Sequence, residues 1–240
     1  MIKLLDILLQ ENDEESILIP RRSPEERAKN YLIATNRKVQ QYIKNGSVGD
    51  LDLYNTPITS LPANLKVGGY LDLGRTKITD LPAGLKVGGW LDLRNTPITD
   101  LPANLEVVGN LYLSNTPITS LPANLKVGGT LNLRGTPITS LPADLKVGGS
   151  LDLSNTPITD LPAGLKVGGW LDLGGTKITD LPADLEVNGS LNLNGTPITD
   201  LPANLEVVSN LYLRRTPMSK SHTKEQIKQM APGVKGNIYL

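Results

Sequence analysis

Cysteine is absent from the 240 residues, which removes disulfides, thiolate metal sites and a cysteine nucleophile together. That usage fits a reducing compartment. Phenylalanine is missing too, and the one histidine, His222, sits near the C-terminal end. Basic and acidic residues cancel at twenty-four each, so no global field holds a polyanion or draws the chain to a membrane, and electrostatic recognition has to be local. There is no apolar run of the roughly eighteen residues that a membrane span needs. The apolar start, Met1 to Leu9, is broken by Lys3 and Asp6, is followed by acidic Glu11 to Glu15 and lacks a small-residue cleavage site. It makes a poor secretion signal. Together these absences lead us to expect a cytoplasmic protein with no membrane attachment.

What the chain has instead is repetition. The twenty-residue unit that begins Leu51-Asp-Leu-Tyr-Asn-Thr-Pro-Ile-Thr-Ser-Leu-Pro recurs eight times in register through Asn210, and Leu211 to Pro217 begin a ninth. Such a period makes a repeat solenoid in which each turn contacts its neighbours, and the default role of a solenoid is binding. Leucines at positions one and three flank one outward residue, the alternation of a short strand with one buried face. Strands of successive turns then stack in parallel. Proline at position twelve and the glycines before the next strand leave no room for a returning helix, so the outer side should be extended or turn-like.

The ends differ from the array. Ser23-Pro-Glu-Glu26 combines an N-cap serine, a proline at the first helical position and a capping-box glutamate, and Ala28, Tyr31, Leu32, Thr35, Val39, Tyr42 and Ile43 then form one apolar stripe. We expect residues 1–50 to form an N-terminal helical cap with a short first helix and a linker over residues 10–22. Residues 51–217 are the array, and residues 218–240 form a C-terminal cap. There Thr223-Lys-Glu-Gln226 predicts a short helix through Met230, and Val234 to Leu240 mimics Val107 to Leu113, which predicts one more strand.

The pattern Leu-x-Leu-x-x-Thr-x-Ile-Thr-x-Leu-Pro-x-x-Leu resembles leucine-rich repeats, above all the short bacterial class seen in secreted effectors. Near-identical arrays with a short helical front are also similar to uncharacterised proteins of bacteria and their phages. The resemblance implies a right-handed coil with a parallel β-sheet on the concave face, no helices on the convex side, helical caps at both ends and a partner held on the concave face. Two features depart from that family. Its ladder asparagine is replaced by threonine in every copy, Thr56 through Thr216, so the ladder has to be satisfied differently. The ubiquitin-ligase domain of several effectors needs a catalytic cysteine that this chain lacks.

Function has to be read from positions that vary between copies: the last of one unit, then the second, fourth and fifth of the next. Position two carries Asp52, Asp72, Asp92, Tyr112, Asn132, Asp152, Asp172, Asn192 and Tyr212. Carboxylates one strand spacing apart, about 4.8 Å, repel by about 1 kcal/mol in water. Such a ladder keeps a sheet solvated with Arg75 and Arg94 relieving it, or docks a basic partner, or takes a cation, although no calcium-type loop accompanies it. Tyr70 and Trp90 share a position in adjacent turns, with Tyr54 and Tyr112 nearby, and Trp170 and Tyr212 recur farther on. Beside Arg94, Arg134 and Arg214 these have the composition of interface hot spots, or they pack on one another. Asp and Asn beside aromatic rings also suit a glycan.

The basic front residues Arg21, Arg22, Arg27, Lys29, Arg37, Lys38 and Lys44 read as the solvated face of a helix rather than a nucleic-acid site. Position sixteen, lysine or glutamate, reads as solvation. Ser219 and Ser221 beside His222 lack a third orienting group, and no phosphate, dinucleotide or metal motif appears. The expectation is a monomeric, non-enzymatic protein without cofactor that binds a protein through Tyr70, Asp72, Trp90, Asp92, Arg94, Tyr112, Arg134, Asp152, Trp170 and Asp172. The alternatives are a spacer that contacts partners through its caps and a glycan binder.

Overall fold

The computed structural model describes residues 23–240. The expected first helix and linker, with Arg21 and Arg22, lie outside these residues. From Leu51 the chain winds into a regular parallel β-solenoid in which each full turn contributes two strands of two residues. The strand at positions one and two, as in Leu71–Asp72, joins a ten-stranded parallel sheet, and the strand at positions sixteen and seventeen, as in Lys86–Val87, joins an eight-stranded parallel sheet. Register is uniform: Leu71 pairs with Leu91 and Val87 with Val107, so every rung between full turns joins equivalent positions.

Both sheets follow from alternation. Leu71 and Leu73 point inward around Asp72, and Leu85 and Val87 point inward around exposed Lys86. Together with Ile78 they are buried, and the same positions of the other turns join them in one core that includes Val39. The outer side expected to be extended is therefore a paired second sheet. Its in-out-in pattern at positions fifteen to seventeen is short but present in every copy.

The threonine column is satisfied within each turn. In all nine cases, Thr56 to Thr216, the hydroxyl donates at 2.7 Å to the carbonyl of the leucine three residues earlier. The backbone itself joins the turns: Leu53 N–H donates to the Asp72 carbonyl at 2.8 Å, and Gly109 N–H to the Gly89 carbonyl at 3.0 Å. At Gly109 a Cβ would come within 2.8 Å of the Gly89 backbone, which is why the corner there is glycine. Position five lies in the left-handed region throughout, from Asn55 (φ 54°) to Arg215 (φ 61°), a conformation that favours its usual Asn or Gly.

Helix α1 (Pro24–Lys44) begins with the expected Ser23–Glu26 capping box. It is largely exposed. Thr35 and Val39 are its buried residues, and Lys38 Nζ donates to the Asp52 carbonyl. The Tyr42 hydroxyl lies 2.8 Å from the Ser47 carbonyl and accepts from Gly68 N–H. At the other end, a short helix α2 (Met218–Ser221), which the sequence reading did not anticipate, precedes α3 (Lys224–Met230) and its Thr223–Gln226 capping box. Val234 then bridges Val207, and Ile238–Tyr239 pairs with Leu211–Tyr212. Both pairings have an offset of twenty-seven, so the last turn is a normal one with seven extra residues looped out as helix. Among the described residues, no helix is long and apolar enough to cross a membrane.

Candidate functional site

The outward face of the ten-stranded sheet carries positions two, four and twenty of each turn. Position two has a local task. Asp52, Asp72, Asp92, Asp152 and Asp172 each accept, through Oδ1, the backbone N–H two residues on, at 2.8–2.9 Å. Asn132 and Asn192 do the same at 3.0 Å. This is an Asx turn that steers the chain out of the strand. It explains why short carbonyl-bearing side chains dominate the column, beyond any role in solvation. Tyr112 and Tyr212 abandon it, and Arg214 N–H turns instead to Asn194 Oδ1 of the preceding turn.

The residues predicted in the N-terminal half converge. Tyr70 and Trp90 stack face to face, with centroids 4.2 Å apart and planes within 3°, and Tyr112 meets Trp90 edge-on at 6.4 Å. Arg94 lies 5.3 Å from the Tyr112 centroid while its Nε donates to Asp92 Oδ2 at 2.8 Å and its Nη2 bonds the same oxygen. Asp92 is only 1% exposed. The three rings are half-buried because they pack on one another, so they form one strip rather than separate exposed groups. Arg75 does not answer the aspartates; its guanidinium lies 6.0 Å from the Tyr54 ring.

Burial raises the Asp72 carboxyl above the ordinary carboxylate range, and the charges of Asp92 and Asp52 push the same way against the opposing Gly74 N–H. Desolvation, followed by the neighbouring Asp50, Asp52 and Asp72, also raises the Tyr70 hydroxyl. Arg94, bonded to Asp92, is held still more firmly protonated.

The C-terminal residues form a different setting. Trp170 is 67% exposed, and the residues in its column on the adjacent turns are Ser150 and Ser190 rather than aromatics. On one side it borders Asp152 and Asn132, and on the other it opens a cleft floored by Asp172, Ser190, Asn192 and Asn194 and closed by Tyr212. Tyr212 is itself stacked on Tyr239 of the last turn at 4.8 Å. Sequence reasoning missed Ser190, Asn192 and Asn194, although lining up position twenty across turns distinguishes Trp170, between two serines, from Trp90, next to Tyr70. Arg134 stands apart, exposed, with its backbone N–H on Asn132.

Position twenty also has a backbone role at several of its polar members. Asp50, Asn110 and Ser150 accept the N–H of the equivalent residue one turn on, at 2.8–3.1 Å. Trp90 and Trp170 cannot, because an indole has no acceptor. On the other sheet Lys86 pairs with Glu106 at 2.8 Å and Lys166 with Glu186 at 2.7 Å. The Lys86 hydrogen bond holds the Glu106 carboxyl below its usual range. Ser221 Oγ lies 2.8 Å from His222 Nδ1 in an exposed segment. Among the described residues no three His, Asp or Glu side chains converge on a metal position. Neither a family model nor a curated protein matches this chain.

Proposed function

We propose that the chain is a leucine-rich-repeat recognition scaffold without enzymatic activity. It acts as a cytoplasmic monomer, with its terminal helices capping the array. A protein partner docks on the outward face of the ten-stranded sheet, which is the concave face in the leucine-rich-repeat arrangement. The observation that carries this reading is the Tyr70–Trp90–Tyr112 strip with Arg94 locked over its end. Aromatic rings and arginine are the commonest hot-spot residues, and side chains already held by stacking and by Asp92 lose little entropy when a partner covers them. The strip also gives up local bonds: Tyr112 replaces an Asx-turn residue and Trp90 replaces an inter-turn acceptor. Residues that break the rule of a repeat at some cost mark the places where something other than folding sets their identity.

The test uses a partner recovered from native cells by the wild-type chain and then titrated as a purified protein. Trp90→Ala and Arg94→Lys should each weaken it more than tenfold, while Lys86→Ala on the opposite sheet should leave it unchanged. Undiminished binding by both strip variants removes the site from this face.

A further inference from the structure

Beyond protein docking, we infer that the cleft between Trp170 and Tyr212 is a binding site for a neutral carbohydrate. Its volume is about 420 Å³, within the roughly 300–1,000 Å³ of small-ligand pockets. One wall is an indole left two-thirds open to solvent, a flat apolar surface for the C–H face of a pyranose ring.

The floor selects the chemistry. Asp172 Oδ1 already accepts from Gly174 N–H and Asn192 Nδ2, Asn192 Oδ1 from Asn194 N–H, Asn194 Oδ1 from Arg214 N–H, and Ser190 Oγ from Asn210 N–H. These internal bonds consume acceptors. What they leave for a ligand is the Asn194 amide N–H groups, the second Asn192 N–H, the Ser190 and Tyr212 hydroxyl protons, and Asp172 Oδ2 as the one side-chain oxygen of the floor that no internal bond occupies. An ammonium or guanidinium brings only donors and fits a donor-rich floor poorly. A phosphate or carboxylate is repelled by Asp172 and by Asp152 on the far side of Trp170. A sugar hydroxyl both donates and accepts, so a neutral polyol can meet the donors and the single carboxylate oxygen together.

The site shares no residue with the Tyr70–Trp90–Tyr112 strip, so either proposal can fail without the other. Calorimetric titration of the full chain with neutral di- and trisaccharides ending in glucose, galactose, mannose or N-acetylglucosamine tests it, with choline and oligolysine as cationic comparators. At least one saccharide should bind saturably, at least tenfold more weakly to Trp170→Ala and to Asn194→Asp, and unchanged to Trp90→Phe. Asn194→Asp keeps the acceptor for Arg214 N–H while deleting the donors, so it decides the matter even if Trp170→Ala misfolds. Failure of every saccharide to bind, binding indifferent to the Asn194 change, or preference for choline or oligolysine overturns the assignment.

Discussion

Arg94 holds the carboxylate of Asp92, a side chain almost completely out of solvent, from a side chain that is itself half exposed. Deleting the arginine leaves a buried charge with its backbone contact alone. Arg94→Ala should therefore destabilise the chain by about 1.5–3 kcal/mol, the range for hydrogen bonds to charged groups. Adding Asp92→Asn should recover part of the loss, because neighbouring effects are not additive. Urea unfolding of the two singles and the double measures this, and it is the reason binding is better probed with Arg94→Lys.

Asp72 links the face to pH. Its folded-state pKa is raised by burial and by Asp92 and Asp52, so the native state holds the proton more tightly than the unfolded chain does. The contribution of this group to stability is then fully present below the unfolded value and is lost as pH rises through the folded one. Asp72→Asn removes the titration but keeps an oxygen for Gly74 N–H. The variant should melt higher than wild type at neutral pH, and the difference should vanish in acid. Glu106, whose pKa is lowered by Lys86, acts in the opposite direction in both proteins and cancels from the comparison.

The threonine column can be tested at its most enclosed members. Thr136 is 1% exposed and bonds the Leu133 carbonyl. Thr136→Val should cost about 1 kcal/mol, since that carbonyl retains only the Thr136 N–H. The same change at exposed Thr139 should be nearly neutral by chemical denaturation.

Arg75 occupies a left-handed backbone position at φ 58°, which disfavours a side chain with a Cβ by about 1–2 kcal/mol. Asn, which four of the nine turns place there, tolerates that region. Arg75→Asn should raise the melting temperature, with a gain of up to about 1 kcal/mol.

The helix start at Ser23, the inward leucines and the final strand at Ile238 were all legible, because each depends on a local rule that repeats or on a visible copy of the unit. The second sheet was harder to see, since Leu85-Lys86-Val87 shows its alternation over three residues only. In the sequence, position five looks like variable surface. Its Asn, Gly and Arg look like free choices until the backbone is found in the left-handed region. The aspartates of position two look in the sequence like repelling charges, whereas a carboxylate that accepts a bond from its own turn is also a piece of backbone geometry. The contrast between Trp90 and Trp170 depends on which residues lie one turn away. Lining up the repeat column by column brings those neighbours together, and the sheet pairs the same columns in register.

The seven extra residues of the last turn return the chain to the same ladder they left, with Val234 beside Val207 and Ile238 beside Leu211. Rungs between full turns join like to like, so a gene that loses or duplicates one sixty-base block mends its protein at a seam chemically equivalent to the others. Length can then change by whole rows while both ends stay intact. The outward columns become a text edited by inserting or removing lines, and the spacing between the Trp90 strip and the Trp170 cleft becomes a quantity that such editing sets in steps of one strand.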